Sequence, residues 1–326
     1  MKAVWYEQNG DANILQYGDM PDPNPVTGEV RVRIATSGVN PSDWKRRQGL
    51  TNLIDFPKVI PNQDGAGVID AVGPGVSKSR IGERVWLFES QFKRPFGTGA
   101  EYTTIPSGHA IRMSDSTDFT TGAGLGVPAM TAHRCVFSDG PVAGKTVLVT
   151  GGAGAVGHYA IQLAKLGGAT VISTISSDEK AQIALAAGAD HTINYRYGNT
   201  AEQIFNLTNG IGVDHIAEVD MAANFSVSQQ VLKSAGILAV YSAGHTQIPT
   251  VPLKFNATNI TVRFVLVYDM PEYAKDAAVS DISSWLEQGK LMSFSGPHFP
   301  LPQLKDAHLA VEDGTTGKVI VDVNPL

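Results

Sequence analysis

A single cysteine, Cys135, stands in a chain of 326 residues. That rules out an intrachain disulfide and any metal cluster held by several thiolates. No stretch approaches the roughly twenty consecutive apolar residues of a membrane-spanning helix. A basic surplus is missing too, since 25 Lys and Arg against 31 Asp and Glu give a net charge of -6. With no excess cation to offset phosphates, the chain does not read as a general nucleic-acid or anionic-membrane binder. The opening MKAVWYEQNG lacks the apolar core of a signal peptide and reads as a strand, so a cytoplasmic enzyme is expected. Several catalytic signatures are absent as well: no Tyr-x-x-x-Lys pair, no G-x-S-x-G elbow and no H-E-x-x-H. The eight histidines show no ligand spacing. His133 and His158 read as helix surface or core, and Cys135 as a small buried hydrophobe. Gly140 to Thr146 ends like a Walker A loop, but position 139 is Asp and the segment precedes a strand instead of following one.

What is present is ordinary soluble composition, 43% hydrophobic and 17% charged, in a length suited to two domains. The most informative stretch is Thr146 to Lys165. Its β-branched start, Thr146 to Thr150, reads as a buried strand. Gly152-Ala153-Gly154-Ala155-Val156-Gly157 follows as a G-x-G-x-x-G turn, and Val156, Ala160, Ile161 and Ala164 then recur at helical spacing. Strand, glycine turn and helix in this order form a dinucleotide-binding pattern. The glycines permit a tight turn, close approach of backbone to pyrophosphate, and close packing of helix on strand. The helix N-terminus offers unpaired N–H groups and the positive end of its dipole to the anion. The plainer account is a strand-to-helix turn that needs glycine for packing alone.

Up to about Thr121 the text is strand-like and punctuated by glycine and proline. Glu29 to Ile34 alternates as a half-buried strand does, and Val68–Val72, Arg84–Phe88 and Tyr102–Ile105 are further short strands. This predicts a small, mostly antiparallel, barrel-like domain. The rhythm then changes. Thr146–Thr150, Thr170–Ile175, His191–Ile193, Val213–Val219 and Ile237–Tyr241 alternate with helical segments such as Glu179–Ala187 and Phe225–Leu232. That alternation predicts a doubly wound parallel sheet. Two helices, Pro271–Gln288 and Pro302–Glu312, and a last strand, Lys318–Val323, close the chain.

In this order of parts the chain resembles the medium-chain dehydrogenase/reductase superfamily, and in particular its zinc-free, zeta-crystallin-like quinone oxidoreductase branch. The likeness is carried by Gly38-Val39-Asn40-Pro41-Ser42-Asp43, Pro61-Asn62-Gln63-Asp64-Gly65-Ala66-Gly67, Met130-Thr131-Ala132 and Ala187-Gly188-Ala189-Asp190. It implies an α/β fold: a GroES-like β-barrel catalytic domain (1–123 and 266–326) and a Rossmann dinucleotide-binding domain (124–265). Zinc-dependent relatives carry a cysteine in the first motif and a histidine in the second. Here Ser37 to Asn40 contains no cysteine, Gln63 stands at the histidine position, and the four-cysteine structural loop is missing. No metal is therefore expected.

NAD sites end their second strand with an acidic residue about twenty positions past the glycine turn. Here Ser176 occupies that place, followed by Ser177 and, a turn later, Lys180. A hydroxyl can donate to a 2′-phosphate that a carboxylate would repel, and Lys180 can reach back as a charge-assisted donor. NADPH is the expected cofactor. Ser177 and Asp178 also read as a helix cap, which leaves Lys180 available. The resemblance adds Tyr195 to this pocket, with Arg196 close by. It also implies that Ser242, Ala243 and Gly244 pass near the nicotinamide, and that Phe264, Val265 and Leu266 hold its carboxamide by backbone groups. Lys318 is a further cofactor candidate, and all of these positions are also ordinary strand ends.

Asn40, Asp43, Trp44 and Thr131 are the candidates for lining the acceptor cleft. Asn40 would bond an oxygen and Trp44 would stack on a flat acceptor. Asn40-Pro41 reads equally as a turn and Asp43 as a helix cap. Arg46 and Arg47 would favour a polar or anionic acceptor, or else are solvated surface charges. The expected activity is zinc-independent, NADPH-dependent reduction of quinones or related conjugated carbonyls. An enone or enoyl (alkene) reductase is the chemical alternative, and an NADPH-binding protein with little turnover the other. The partner is a small molecule, with neither nucleic acid nor membrane expected, and the resemblance implies a homodimer.

Overall fold

The computed structural model describes residues 1–242, 249–256 and 258–325. The chain forms two compact units, Met1–Val127 with Ile282–Leu326, and Pro128–Asp281. Both joints fall later than the expected positions after 123 and 265, because helices Gly126–Phe137 and Glu272–Glu287 run across them.

The first unit is built on strand Glu29–Val39. Val30, Val32 and Ile34 are fully buried, while Arg31 and Arg33 point away, the period-2 pattern of a half-buried strand. Ser295–Pro300, Lys318–Asp322, Glu29–Val39, Asp64–Val72, Arg84–Leu87 and Ala110–Arg112 follow one another across the sheet, and Tyr102–Pro106 also pairs with Glu29–Val39. Every pairing is antiparallel except that of Ser295–Pro300 with Lys318–Asp322. Val30, Val32, Ile34, Ile69, Val85, Leu87 and Ile105 form one core. Each such side chain contributes about 1.5–3 kcal/mol on burial.

Two registers decide what meets at the end of that strand: Val319 lies opposite Val39, and Gly38 opposite Asp64. The chain then enters helix Pro41–Gln48, where the sequence offered only a turn or a cap. Asn40 is the N-cap and Pro41, with its preset φ and no N–H, opens the helix. Asp43 accepts the Asn40 N–H at 2.7 Å. Gly49, at φ 80, ends it.

The second unit carries six parallel strands in the order His191–Asn194, Thr170–Ile175, Thr146–Thr150, Val213–Glu218, Leu232–Val240, Thr261–Phe264. Val147, Leu148 and Val149 are wholly buried, as a central parallel strand covered on both faces requires. The sixth strand, Thr261-Val262-Arg263-Phe264, lies at the sheet edge, is largely exposed and was not among the strands expected. Helix Met221–Val231 also starts earlier than expected and passes directly into strand Leu232–Val240. Among the described residues no helix is long and apolar enough to cross a membrane.

Candidate active site

Parallel pairing puts the carboxyl ends of the six strands on one rim. The order reverses beside Thr146–Thr150, where an open sheet of this kind leaves a crevice for a ligand. Gly151, at φ 68, makes the left-handed turn out of that strand, and its N–H donates to Thr174 Oγ1 at 3.2 Å. Of the three jobs expected of the motif glycines, the left-handed turn falls to Gly151, while Gly152 and Gly157 serve packing. A Cβ on Gly152 would meet Ser173 Oγ at 2.0 Å, and one on Gly157 the Gly151 carbonyl oxygen at 2.3 Å.

Gly154 differs. It is the exposed N-cap of helix Ala155–Leu166, and a Cβ there would meet only the Gly151 oxygen, at 3.3 Å. A glycine that packing does not demand, at a helix end with free N–H groups, leaves room for a pyrophosphate against the backbone. Ala153 is buried behind it, and Ala155 and Val156 are half-buried in the first turn. Glu218, buried beside the crevice, accepts hydrogen bonds from Thr150 Oγ1 (3.0 Å), Asn224 Nδ2 (2.7 Å) and the Asp220 N–H (2.7 Å). Burial pushes its carboxyl upward.

Along the rim, Ser176 and Ser177 follow strand Thr170–Ile175, both half-buried. Ser177 caps helix Asp178–Ala186 by accepting the Lys180 N–H at 3.3 Å. The Lys180 ammonium makes no ion pair among the described residues. The Tyr195 N–H donates to the Ile175 oxygen at 3.1 Å, which brings this tyrosine, 53% exposed, beside Ser176. The Ser242 carbonyl accepts the Met221 N–H at 3.2 Å. Ala243 and Gly244 lie outside the described residues. Phe264 and Leu266 are exposed, but the Val265 N–H donates to the Val240 oxygen at 2.8 Å. The sheet thus occupies one backbone donor that the reading assigned to the carboxamide.

In the first unit the registers bring Asn40, Asp64 and Lys318 together. Lys318 Nζ donates to Asn40 Oδ1 at 2.6 Å and to Asp64 Oδ2 at 2.7 Å. Asn40 Nδ2 donates to the same Asp64 oxygen at 2.8 Å, and Val127 N–H to the other at 2.8 Å. Lys318, a cofactor candidate in the sequence, has its ammonium committed to this group. Asp43 is buried alongside. Desolvation, with the Asp64 charge nearby, pushes its carboxyl up to about 7 against the opposing pull of Lys318. Trp44 is half-buried with the Lys45 ammonium 5.7 Å from its ring centroid. Thr131, the fourth candidate, is buried in the second unit.

The two arginines of this helix are not solvated charges. Arg46 pairs with Asp55 at 2.7 Å, and Arg47 is wholly buried and paired with Glu312. Sequence reasoning passed over Asp64 as a site residue, although it stands inside a motif that the reading singled out.

The donor set does not suit zinc. Ser37 Oγ is bonded to Thr98 Oγ1 at 2.7 Å and Gln63 Nε2 to Gln91 Oε1 at 3.4 Å. Asp64 already shares its charge with a buried ammonium, and among the described residues no thiolate or imidazole completes a tetrahedral set. Among the described residues no group of three His, Cys, Asp or Glu is placed to hold a metal. His133 pairs with Asp281 at 2.8 Å, His158 is buried beside Gln162 at 3.0 Å, and Cys135 is wholly buried.

Residues 26–115 match the family model of the alcohol dehydrogenase GroES-like domain, and residues 155–283 that of the zinc-binding dehydrogenases. The human quinone oxidoreductase is 29% identical, over 98% of this chain and 97% of its own length. A 2-haloacrylate reductase of Burkholderia is 30% identical, over 94% of each chain. A mycobacterial protein solved as its NADPH complex superposes with a TM-score of 0.86 at 27% identity, over 98% of this chain and 99% of that one. In fold, glycine turn and order of parts, the chain belongs to the quinone oxidoreductase branch of the medium-chain dehydrogenase/reductase family.

Proposed function

We propose that this chain is an NADPH-dependent oxidoreductase that reduces quinones or related conjugated carbonyls without a metal. One observation carries the reading. The rim has a glycine turn open at Gly154, and its ribose corner carries Ser176 and Lys180 where an NAD site places a carboxylate. The 2′-phosphate is assigned to Ser176, Ser177, Lys180 and Tyr195, and the pyrophosphate to the backbone from Gly152 to Gly157. When bound, NADPH would supply a hydride, one proton with two electrons, and the second proton would come from solvent.

The chain's own part on the acceptor side is positioning. Lys318 and Asp64 orient the Asn40 amide, and of its two Nδ2 protons one is bonded to Asp64 among the described residues. We assign the other to an oxygen of the acceptor. The buried ammonium next to it favours the negative charge that develops on that oxygen.

The 2-haloacrylate reductase relative supports alkene reduction as a second reading. Initial rates of NADPH and NADH oxidation against a panel of quinones and enones, with a chelator present, test both. Chelator-resistant, NADPH-selective turnover of quinones supports the first and turnover of enones alone the second. NADPH binding without turnover of any acceptor leaves a binding protein.

The homodimer belongs to the same proposal. Strand Thr261–Phe264 is the outer edge of its sheet and leaves Val262, Phe264 and Leu266 exposed at 36%, 57% and 61%. Light scattering on the eluting protein measures the mass.

A further inference from the structure

Five side chains form one line of hydrogen bonds through the interior of the first unit, from Arg47 to the backbone of Asp64. Arg47 Nη1 lies 3.5 Å from His308 Nδ1, and His308 Nε2 3.0 Å from Asn62 Oδ1. Asn62 Nδ2 is 2.9 Å from Ser37 Oγ, Ser37 Oγ 2.7 Å from Thr98 Oγ1, and Thr98 Oγ1 2.6 Å from the Asp64 carbonyl oxygen. All five residues are buried, and Arg47, Ser37, Asn62, Thr98 and His308 have no exposed surface.

Chemistry allows this line only one direction. The Asp64 carbonyl can only accept, so Thr98 donates to it and accepts from Ser37. Ser37 therefore accepts from the Asn62 amide, whose oxygen accepts from His308 Nε2–H. Arg47 can only donate, which leaves the lone pair of His308 on Nδ1. The imidazole is thus neutral, with its proton on Nε2. Burial and the adjacent guanidinium hold His308 down at about 3. Arg47 is balanced at the outer end by Glu312. The line also grips Asn62, whose φ of 78 lies in the left-handed region that asparagine tolerates at a cost.

We infer that His308 is a positioning residue for acceptor reduction: acting through Asn62, Ser37 and Thr98, it fixes the backbone that sets the Asp64 carboxylate against Asn40 and Lys318. This rests on the reading that the acceptor binds at Asn40.

The test uses the full chain with NADPH and 1,4-benzoquinone. His308→Leu and Thr98→Val should each lower kcat by about tenfold and leave KM for NADPH within about twofold. His308→Gln, which keeps an acceptor toward Arg47 and an N–H toward Asn62, should recover most of the rate. A kcat unchanged in His308→Leu, or in the near-isosteric Thr98→Val should the leucine variant not fold, overturns the inference. So does a His308→Gln as impaired as His308→Leu.

Nitrogen-15 NMR of the wild-type chain reads the imidazole without turnover. A neutral ring protonated on Nε2 from about pH 5 to pH 8 is expected, and a ring that titrates near the ordinary value overturns the line itself. Wild-type protein that turns over no acceptor overturns the functional reading and this inference with it. Wild-type activity beside an unaffected His308→Leu overturns this inference alone.

Discussion

Lys318 Nζ lies 2.7 Å from Asp64 Oδ2 in an interior where the two side chains are 3% and 0% exposed. Three nitrogen donors, the Asn40 amide, the Lys318 ammonium and the Val127 N–H, converge on that one carboxylate. The pair balances a charge that would otherwise be left in a low-dielectric interior beside a second carboxyl group, Asp43.

Removing the cation should therefore cost far more than a surface pair would. Lys318→Met is expected to lower unfolding free energy by about 3–5 kcal/mol, the usual penalty of an orphaned buried charge. Adding Asp64→Asn to Lys318→Met should recover much of that loss. Urea unfolding of both variants measures it. A Lys318→Met chain as stable as wild type would mean that the pair does not carry the charge balance.

Asp43 makes stability depend on pH in an unusual direction. Its carboxyl is pushed up to about 7 in the folded chain, against about 3.9 for a free aspartate. Between those values the folded state holds a proton that the unfolded state has released. The contribution is complete below about pH 4 and is lost as pH rises through about 7, with a slope on the order of 1.4 kcal/mol per pH unit. His158, lowered by burial to about 4, acts oppositely: its contribution is lost as pH falls below its ordinary value. Comparing Asp43→Asn with wild type isolates the first effect. Denaturant titrations at about pH 5, 6 and 7 should show the stability of wild type relative to Asp43→Asn falling as pH rises, and parallel curves would contradict the assignment.

The second and third glycines of the motif, Gly154 and Gly157, should separate stability from binding. Gly157→Ala drives a Cβ to 2.3 Å from the Gly151 oxygen and should cost at least about 2 kcal/mol. Gly154→Ala meets nothing closer than 3.3 Å and should unfold within about 1 kcal/mol of wild type. Yet it should weaken NADPH binding by about tenfold or more, measured by the change in NADPH fluorescence on binding. Unchanged affinity in Gly154→Ala would show that the pyrophosphate does not approach there.

At the ribose corner, Lys180→Ala removes one charge-assisted contact, about 1.5–3 kcal/mol. KM for NADPH should rise with kcat nearly unchanged, because phosphate binding is the same in the ground and transition states. Ser176→Asp places a carboxylate at the strand end and should move preference toward NADH. The ratio of kcat/KM for the two cofactors is the measurement. A Lys180→Ala variant that loses kcat at saturating NADPH would rule out a purely phosphate-binding role.

Much of the architecture was legible because its signals are local. The strand at Thr146–Thr150, its glycine turn and its helix lie within twenty-one consecutive positions, and each element carries its own periodicity. The helix after Ser177, with its Ser177 cap, is equally local. The edge strand Thr261–Phe264 was missed although its polar and apolar residues alternate; that alternation leaves Val262 and Phe264 exposed instead of in a core.

By itself, then, the sequence determined the two kinds of domain, the dinucleotide turn and the absence of thiolate and imidazole where zinc relatives hold metal. The tertiary structure decided what those positions do instead. Lys318 and Asp64 are separated by 254 positions, and Arg47 and His308 by 261. They meet because strand Lys318–Asp322 and strand Asp64–Val72 lie on either side of Glu29–Val39 in fixed register, and because helix Leu304–Glu312 packs against helix Pro41–Gln48. No local pattern encodes such a meeting. A buried charge is recognisable as functional only once its partner is found, and register and packing, not spacing along the chain, choose that partner.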